Sequence, residues 1–428
     1  MTLALILLGL VLLLLTGLPI FAGLGLGSIA IILVAEGRLG GLGAIVFGKL
    51  DNYLLVAIPL FAFMAHLMIK AKVVDDLYAT AHTLVRHWPG GLGVATVLSC
   101  TLFAAISGSS VATALTIGSA AIPQMRRYGY PDRAAYGVVG AGGTLGILIP
   151  PSGPMILYGV ISDTSIGALF IAGVIPGLVL AGIFVLFCIA QAAMVRGVER
   201  VERAPLGECL AALRRAIWAI ALPPLVLGGM YFGVFTATEA AGAGAIGALL
   251  IAVLAYRNLS LRGLFEAAVE TARTTTMLFM ILAAAAMFGH VLTILHLPAE
   301  LVALVTEAEV GPIAFILAVM ALIFVLGMFL ETISIILVTT PIVLPVMFAL
   351  QIDPVWYGVL LMINLELALI TPPVGMNLFV IKGITQAPMS EIVMGVLPYV
   401  LLLILGLLLV LVWPDLALWL PASMAYGR

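Results

Sequence analysis

Charge is what this chain has least of. Charged side chains make up 9% of its 428 residues, against about 25% in soluble domains. A chain so poor in charge has no room for a soluble domain. Its basic residues lie in loops rather than on one face, which leaves no nucleic-acid surface. Cysteine is scarce. Cys100, Cys188 and Cys209 are scattered without metal-ligand spacing, and the first two sit in apolar runs as packing residues. A nucleotide-binding phosphate loop is missing, so ATP is not the direct energy source. Aspartates lie at loop edges, not in the facing mid-membrane pair of an intramembrane aspartyl protease. Ser107-Gly108-Ser109-Ser110 does not match the Gly-x-Ser-Gly of a rhomboid-like serine site, and no mid-span histidine is placed to serve one. The chain reads as no enzyme.

What remains is apolar: 64% of the residues are hydrophobic. A span needs about 20 apolar residues. Residues 2–35 hold two short spans, broken near Gly17–Pro19 and Gly23–Gly27; 2–15 lacks the basic region and clear cleavage site of a signal peptide and reads as a retained span. A third span covers about 53–69, capped by Asp51, Asn52 and Tyr53. His66, within a turn of Lys70, reads as a helix-end residue. Residues 88–125 then contain no charge. As one helix they would be about 57 Å long at 1.5 Å per residue, nearly twice the membrane, and both ends are basic. The economical solution is a hairpin that enters and leaves by one face, turning at Ser107-Gly108-Ser109-Ser110.

The second half repeats the first at an offset of 222 residues. Pro123, Met125, Pro150, Pro151, Gly153, Gly173 and Pro176 recur as Pro345, Met347, Pro372, Pro373, Gly375, Gly395 and Pro398 without a gap. The loops around the first copy carry Lys70, Lys72, Arg86, Arg126, Arg127 and Arg133. Those around the second carry Glu300, Glu307, Glu309 and Asp353. By the positive-inside rule the copies lie upside down to each other. The predicted fold is an all-α polytopic membrane protein of two inverted-topology repeats, each with about five spans, one re-entrant helical hairpin and one broken helix, and with both termini outside. The first repeat covers 1–195 (scaffold spans about 1–70, hairpin about 91–125, broken helix about 134–160). A basic cytoplasmic connector spans 196–216. The second repeat covers 217–428, with its first two spans in 217–256, a basic loop bearing Arg257, Arg262 and Arg273, a hairpin at about 311–350 and a broken helix at about 356–382. Inverted repeats with interrupted helices are the build of secondary transporters.

Two hairpin tips and two helix breaks should meet near mid-membrane, since broken backbone is tolerated there only in protein or beside a cavity. Carbonyls and hydroxyls suit small hard cations; helix N-termini suit anions. The first half supplies Ser107, Ser109, Ser110, Thr113, Thr144 and Ser152. The second supplies Thr332, Ser334, Thr339, Thr340, Asn364, Thr371 and Asn377. The bland alternative is that small residues merely permit close helix packing. Glu331 and Glu366 are the carboxylates deepest in apolar sequence. They have three readings: completing a cation site, carrying a proton, or bracing a broken helix by bonding free amides. A channel would need a continuous charged or carbonyl-lined path, whereas the chain offers one polar locus. An ion channel, or a proton-coupled transporter working without a binding protein, is the runner-up.

The same segments carry a family resemblance. Ser107-Gly-Ser-Ser-Val-Ala-Thr113, Gly143-Thr-Leu-Gly-Ile-Leu-Ile-Pro-Pro-Ser152, Pro154-Met-Ile-Leu-Tyr-Gly159, Gly327-Met-Phe-Leu-Glu-Thr332 and Ile370-Thr-Pro-Pro-Val-Gly375 resemble the large membrane subunit of tripartite ATP-independent periplasmic (TRAP) transporters. The departures are Gly153, where a larger apolar residue is common, and Ile333-Ser334, where Gly-Ala often follows. The resemblance implies an importer of organic acids, such as C4-dicarboxylates or sialic acids, coupled to Na⁺ and moving as an elevator in the bacterial cytoplasmic (inner) membrane. It implies two separate partners: a small four-helix membrane subunit and an extracytoplasmic substrate-binding protein. It also implies one Na⁺ site around Ser107, Gly108, Ser109, Thr144 and Gly146, and another around Gly327, Glu331, Thr332, Thr371 and Gly375. Between them the substrate would meet Ser110, Thr113, Pro150, Pro151, Ser152, Pro372, Pro373 and Asn377. No organic cofactor is implied.

Overall fold

Glycine, proline and short polar side chains decide where the apolar helices stop. In the computed structural model, which describes residues 9, 17–194 and 202–424, those stops divide an all-helical chain. Helices α1 (Ile20–Glu36) and α2 (Leu42–Leu50) lead to a 3₁₀ turn, Tyr53–Val56, and α3 (Ala57–Lys70). The Asn52 side chain accepts from the Leu54 amide at 3.0 Å, the cap expected there. Next come α4 (Val73–Val85), α5 (Gly91–Ser107), α6 (Ser110–Arg127) and α7 (Asp132–Gly143). A 3₁₀ turn (Thr144–Gly146) precedes α8 (Gly153–Ser162), and α9 (Ile166–Met194) closes the first half. The second half runs α10 (Leu206–Tyr231), α11 (Ala237–Leu250) with a π turn (Ile251–Ala255), α12 (Leu261–Ile294), α13 (Leu297–Glu307), α14 (Pro312–Gly327), α15 (Thr332–Ala349), α16 (Pro354–Leu369), α17 (Met376–Thr385), α18 (Met389–Val412) and α19 (Asp415–Ala422).

Seven helices among the described residues are long and apolar enough to cross a membrane. With strands absent from the same residues, this is a multi-pass helical membrane protein. The expected first span, 2–15, lies outside the described residues except at Gly9, as do residue 195 and 196–201 of the connector.

The interior is built from the interrupted helices. Every residue of α16 from Trp356 onward is buried, as is α7 from Ala134. Helices apolar all round belong inside. Partners are exchanged between the halves. α1 packs on α12 and α11 on α3; α7 packs on α18 and α16 on α9; α8 packs on α15 and α17 on α6. Helices α6 and α15 start and stop 222 residues apart, at 110 and 332 and at 127 and 349. The Pro150-Pro151 and Pro372-Pro373 bonds are both cis.

Four expectations about segments need correction. The break expected near Gly23–Gly27 does not occur: α1 runs unbroken from Ile20 to Glu36. The second half's first helix starts at Leu206, not near 217, so 206–216 is helix rather than connector. Arg214 and Arg215 mark where the apolar stretch begins, but arginine, leucine and alanine are good helix formers and carry the helix past it. By the same reasoning Arg262 and Arg273 sit in α12, not in a loop. The stretches after Lys72 and His296 are helices α4 and α13.

Candidate functional site

The chain turns from α5 into α6 because Gly108 sits in the left-handed region at φ 59°. Its amide donates to the Ala104 carbonyl at 2.9 Å, closing α5. Ser109 is extended and caps α6, its hydroxyl accepting from the Ala112 amide at 3.3 Å. Glu331, at the matching place in the second hairpin, caps α15; its Oε2 accepts from the Ile333 amide at 3.1 Å. Ser152 caps α8, accepting from Met155 at 3.4 Å, and Gly375, at φ 54°, opens α17. Serine, glutamate and glycine at these four points therefore have local work: each starts a helix.

These helix starts surround one cavity of about 360 Å³, within the roughly 300–1,000 Å³ of small-molecule sites. Ser110, Gly153, Thr332 and Met376, the first residues of α6, α8, α15 and α17, all line it. So do Ser107 and Leu369, where α5 and α16 end. Four positive helix ends and two negative ones thus meet around one space, each worth about half an elementary charge. Glu331 is the one ionisable side chain lining it among the described residues.

Of the residues expected at the sites, seven line this cavity: Ser107, Gly108, Ser109, Ser110, Pro151, Glu331 and Thr332. The others lie behind or beside it. Thr113 is buried, its hydroxyl 3.0 Å from that of Ser107 and 2.8 Å from the Ser109 carbonyl, which it stitches into the tip. Thr144 donates to the Ala141 carbonyl at 2.6 Å. Gly146 lies against the backbone of Ser109 and Ser110, where a β-carbon would collide. Pro150 and Ser152 are buried behind the lining. In the second half, Gly327 packs on Ala368, and Thr371 donates to the Leu367 carbonyl at 2.7 Å. Pro372 and Pro373 are exposed. The first break is enclosed throughout, while the second is open at 372–374. Asn377 is fully buried beside Gly143, and neither end of its amide has a partner among the described residues.

Sequence reasoning missed the cavity's other wall. Phe61 and Ala62 of α3 and Thr274, Met277 and Leu278 of α12 close it. The signal for α12 was visible as Thr274-Thr275-Thr276, a polar run inside an apolar span. Of the three readings of Glu366, the geometry matches bracing, with one surprise. Its Oε1 accepts from the Ile147 amide at 2.9 Å and from the Ser110 hydroxyl. Both donors belong to the other half of the chain.

A family profile described as "Tripartite ATP-independent periplasmic transporter, DctM component" matches residues 7–416. The C4-dicarboxylate TRAP transporter large permease protein DctM of Pseudomonas aeruginosa is 40% identical over 395 residues, 92% of each chain. The isethionate TRAP transporter permease protein DctMQ of Oleidesulfovibrio alaskensis is 36% identical, covering 92% of this chain and 62% of its own. Among solved structures, the YdaH transporter of Alcanivorax borkumensis shares the fold, with a TM-score of 0.64 at 15% identity over 88% of each chain. The chain belongs to the family of TRAP transporter large permeases.

Proposed function

We propose that this chain is the large membrane subunit of a secondary importer of small organic acids in the bacterial inner membrane, driven by Na⁺. The observation that carries the reading is the cavity's charge pattern. Four helix N-termini converge on it, as an anion requires, but neither lysine nor arginine lines it among the described residues. Helix ends alone are a weak counter-charge for a carboxylate in low dielectric, and Glu331 opposes it. Cations held by the helix C-termini and tip hydroxyls supply the balance. The first would sit by Ser107, Gly108 and Ser109, with Thr144 and Gly146 supporting the tip from behind. The second would sit by Glu331 and Thr332, beside Gly327, Thr371 and Gly375. The acid lies between, against Ser110 and Pro151.

The two halves act as inverted repeats. The exchange of packing partners between helices 222 residues apart supports this, as does the swap of loop charge. The hairpins and broken helices, 91–162 and 312–385, form the moving body of an elevator; α1, α3, α11 and α12 form its frame. Two separate chains complete the machine: a small four-helix membrane subunit and an extracytoplasmic substrate-binding protein. The word "tripartite" in the family description supports this count. So does the O. alaskensis permease, whose name joins two components and of which this chain spans 62%. The acid is a carboxylate such as a C4-dicarboxylate, the substrate named for the P. aeruginosa relative.

Ligands that bind only the folded state raise its melting temperature by mass action. Na⁺ titrated at constant ionic strength into the purified complex of large and small subunits should raise it saturably, and K⁺ should not. Equal effects of both ions would remove the Na⁺ sites.

A further inference from the structure

Glu366 sits in the last turn of α16 with no exposed surface. One carboxylate oxygen, Oε1, takes both hydrogen bonds: from the Ser110 hydroxyl, at the start of α6, and from the Ile147 amide, just past the 3₁₀ turn. The other, Oε2, is enclosed and has no partner among the described residues. None of the ion pairs among those residues includes Glu366. Charge buried without a counter-charge is costly, and nothing here uses it. What the fold uses is an acceptor at Oε1. Its two donors flank the first hairpin tip and the first helix break, where Gly146 brings those two segments into contact. The arrangement runs one way only: Thr144, the matching residue of the first half, bonds its own helix at Ala141.

We infer that Glu366 is a positioning residue, a strut from the second half that holds the first hairpin tip against the first break and so sets the geometry of the first cation site. The inference rests on the Na⁺ reading above and adds a dependence of the first half's site on the second half. It acts through hydrogen-bond acceptance, not through charge, so glutamine should replace it and alanine should not.

The test compares wild type, Glu366→Gln, Glu366→Ala and Ser110→Ala, each in complex with the small subunit. Two readouts apply: the Na⁺ concentration giving half-maximal uptake in proteoliposomes supplied with binding protein, and hydrogen exchange at 104–113 and 144–149. Loss of one buried acceptor with two donors should raise the half-saturating Na⁺ by about tenfold in the alanine variant and speed exchange at both segments. Glutamine should stay within about twofold of wild type on both. Ser110→Ala should move both in the same direction by less, and add little to Glu366→Ala, as members of one network do. A glutamine variant as impaired as alanine would overturn the inference, because charge would then be what is used. Wild-type exchange in the alanine variant would overturn it as well. Wild-type uptake indifferent to Na⁺ would end the underlying cation reading instead. Faster exchange in alanine but not glutamine would still uphold the strut, and equal exchange in every variant would overturn it.

Discussion

Two residues at the first hairpin tip separate a structural role from a ligand role. Gly108 has φ 59°, a conformation that costs roughly 1–2 kcal/mol with a β-carbon, and that β-carbon would also strike the Pro151 carbonyl. Gly108→Ala should therefore push tip from break. We expect uptake to fall more than about tenfold, since the added strain exceeds the ~1.4 kcal/mol that a factor of ten represents, while size-exclusion profiles show intact protein. Wild-type uptake in that variant would mean the tip tolerates displacement. Ser109 both caps α6 and offers a hydroxyl to the cavity. Alanine at an N-cap costs about 1 kcal/mol and glycine only a few tenths, so the pair of substitutions divides the two roles. If the hydroxyl binds the cation, Ser109→Ala and Ser109→Gly should raise the half-saturating Na⁺ alike. A rise in the alanine variant alone would leave Ser109 as a cap.

Among the elements, α3 and α12 form the cavity wall that faces the hairpin tips, and if the tips move past that wall, access to it must change with loading. Ala62 on α3 lines the cavity. The native cysteines Cys100 and Cys188 are buried, and Cys209 is partly so. In a Cys209→Ser background, Ala62→Cys should react with a small thiol reagent, and saturating Na⁺ plus substrate should slow the reaction several-fold, as occupancy of a shared space requires. A labelling rate blind to both would remove α3 from the path. How much of this was legible differs by element. The tips and breaks announced themselves where glycine, proline and serine cluster, although glycines alone did not break α1 at Gly23–Gly27, nor a lone proline α6 at Pro123. The wall did not: Phe61 and Met277 look like any membrane residue, and only neighbours distant in sequence turn them toward a cavity. Helices α4 and α13 were hidden because their polar residues read as loop. Leu206–Tyr231 began early because a helix need not end where the membrane does. Glu366 stood out as an intramembrane carboxylate, but its partners, Ser110 and Ile147, lie 256 and 219 positions away and no local pattern joins them.

At the scale of the whole molecule, transport under the proposed function is a balance of charge. The space is ringed by helix ends and one carboxylate; if the proposed organic acid enters it with cations, their excess charge would make entry respond to the membrane potential at about 2.3 kcal/mol per charge per 100 mV. Two or more Na⁺ per monovalent acid would then concentrate it inside. The exchanged packing of α8 with α15 and of α17 with α6 ties the two hairpins together, as the proposed elevator would need. The most direct test is uptake of radiolabelled C4-dicarboxylates and other small carboxylates into proteoliposomes that hold this chain with its small subunit, with binding protein outside and an inward Na⁺ gradient set against a pH gradient. Accumulation should require both Na⁺ and the binding protein and should rise with an inside-negative potential. Uptake driven by the pH gradient alone, or conductance without the binding protein, would contradict the proposed function.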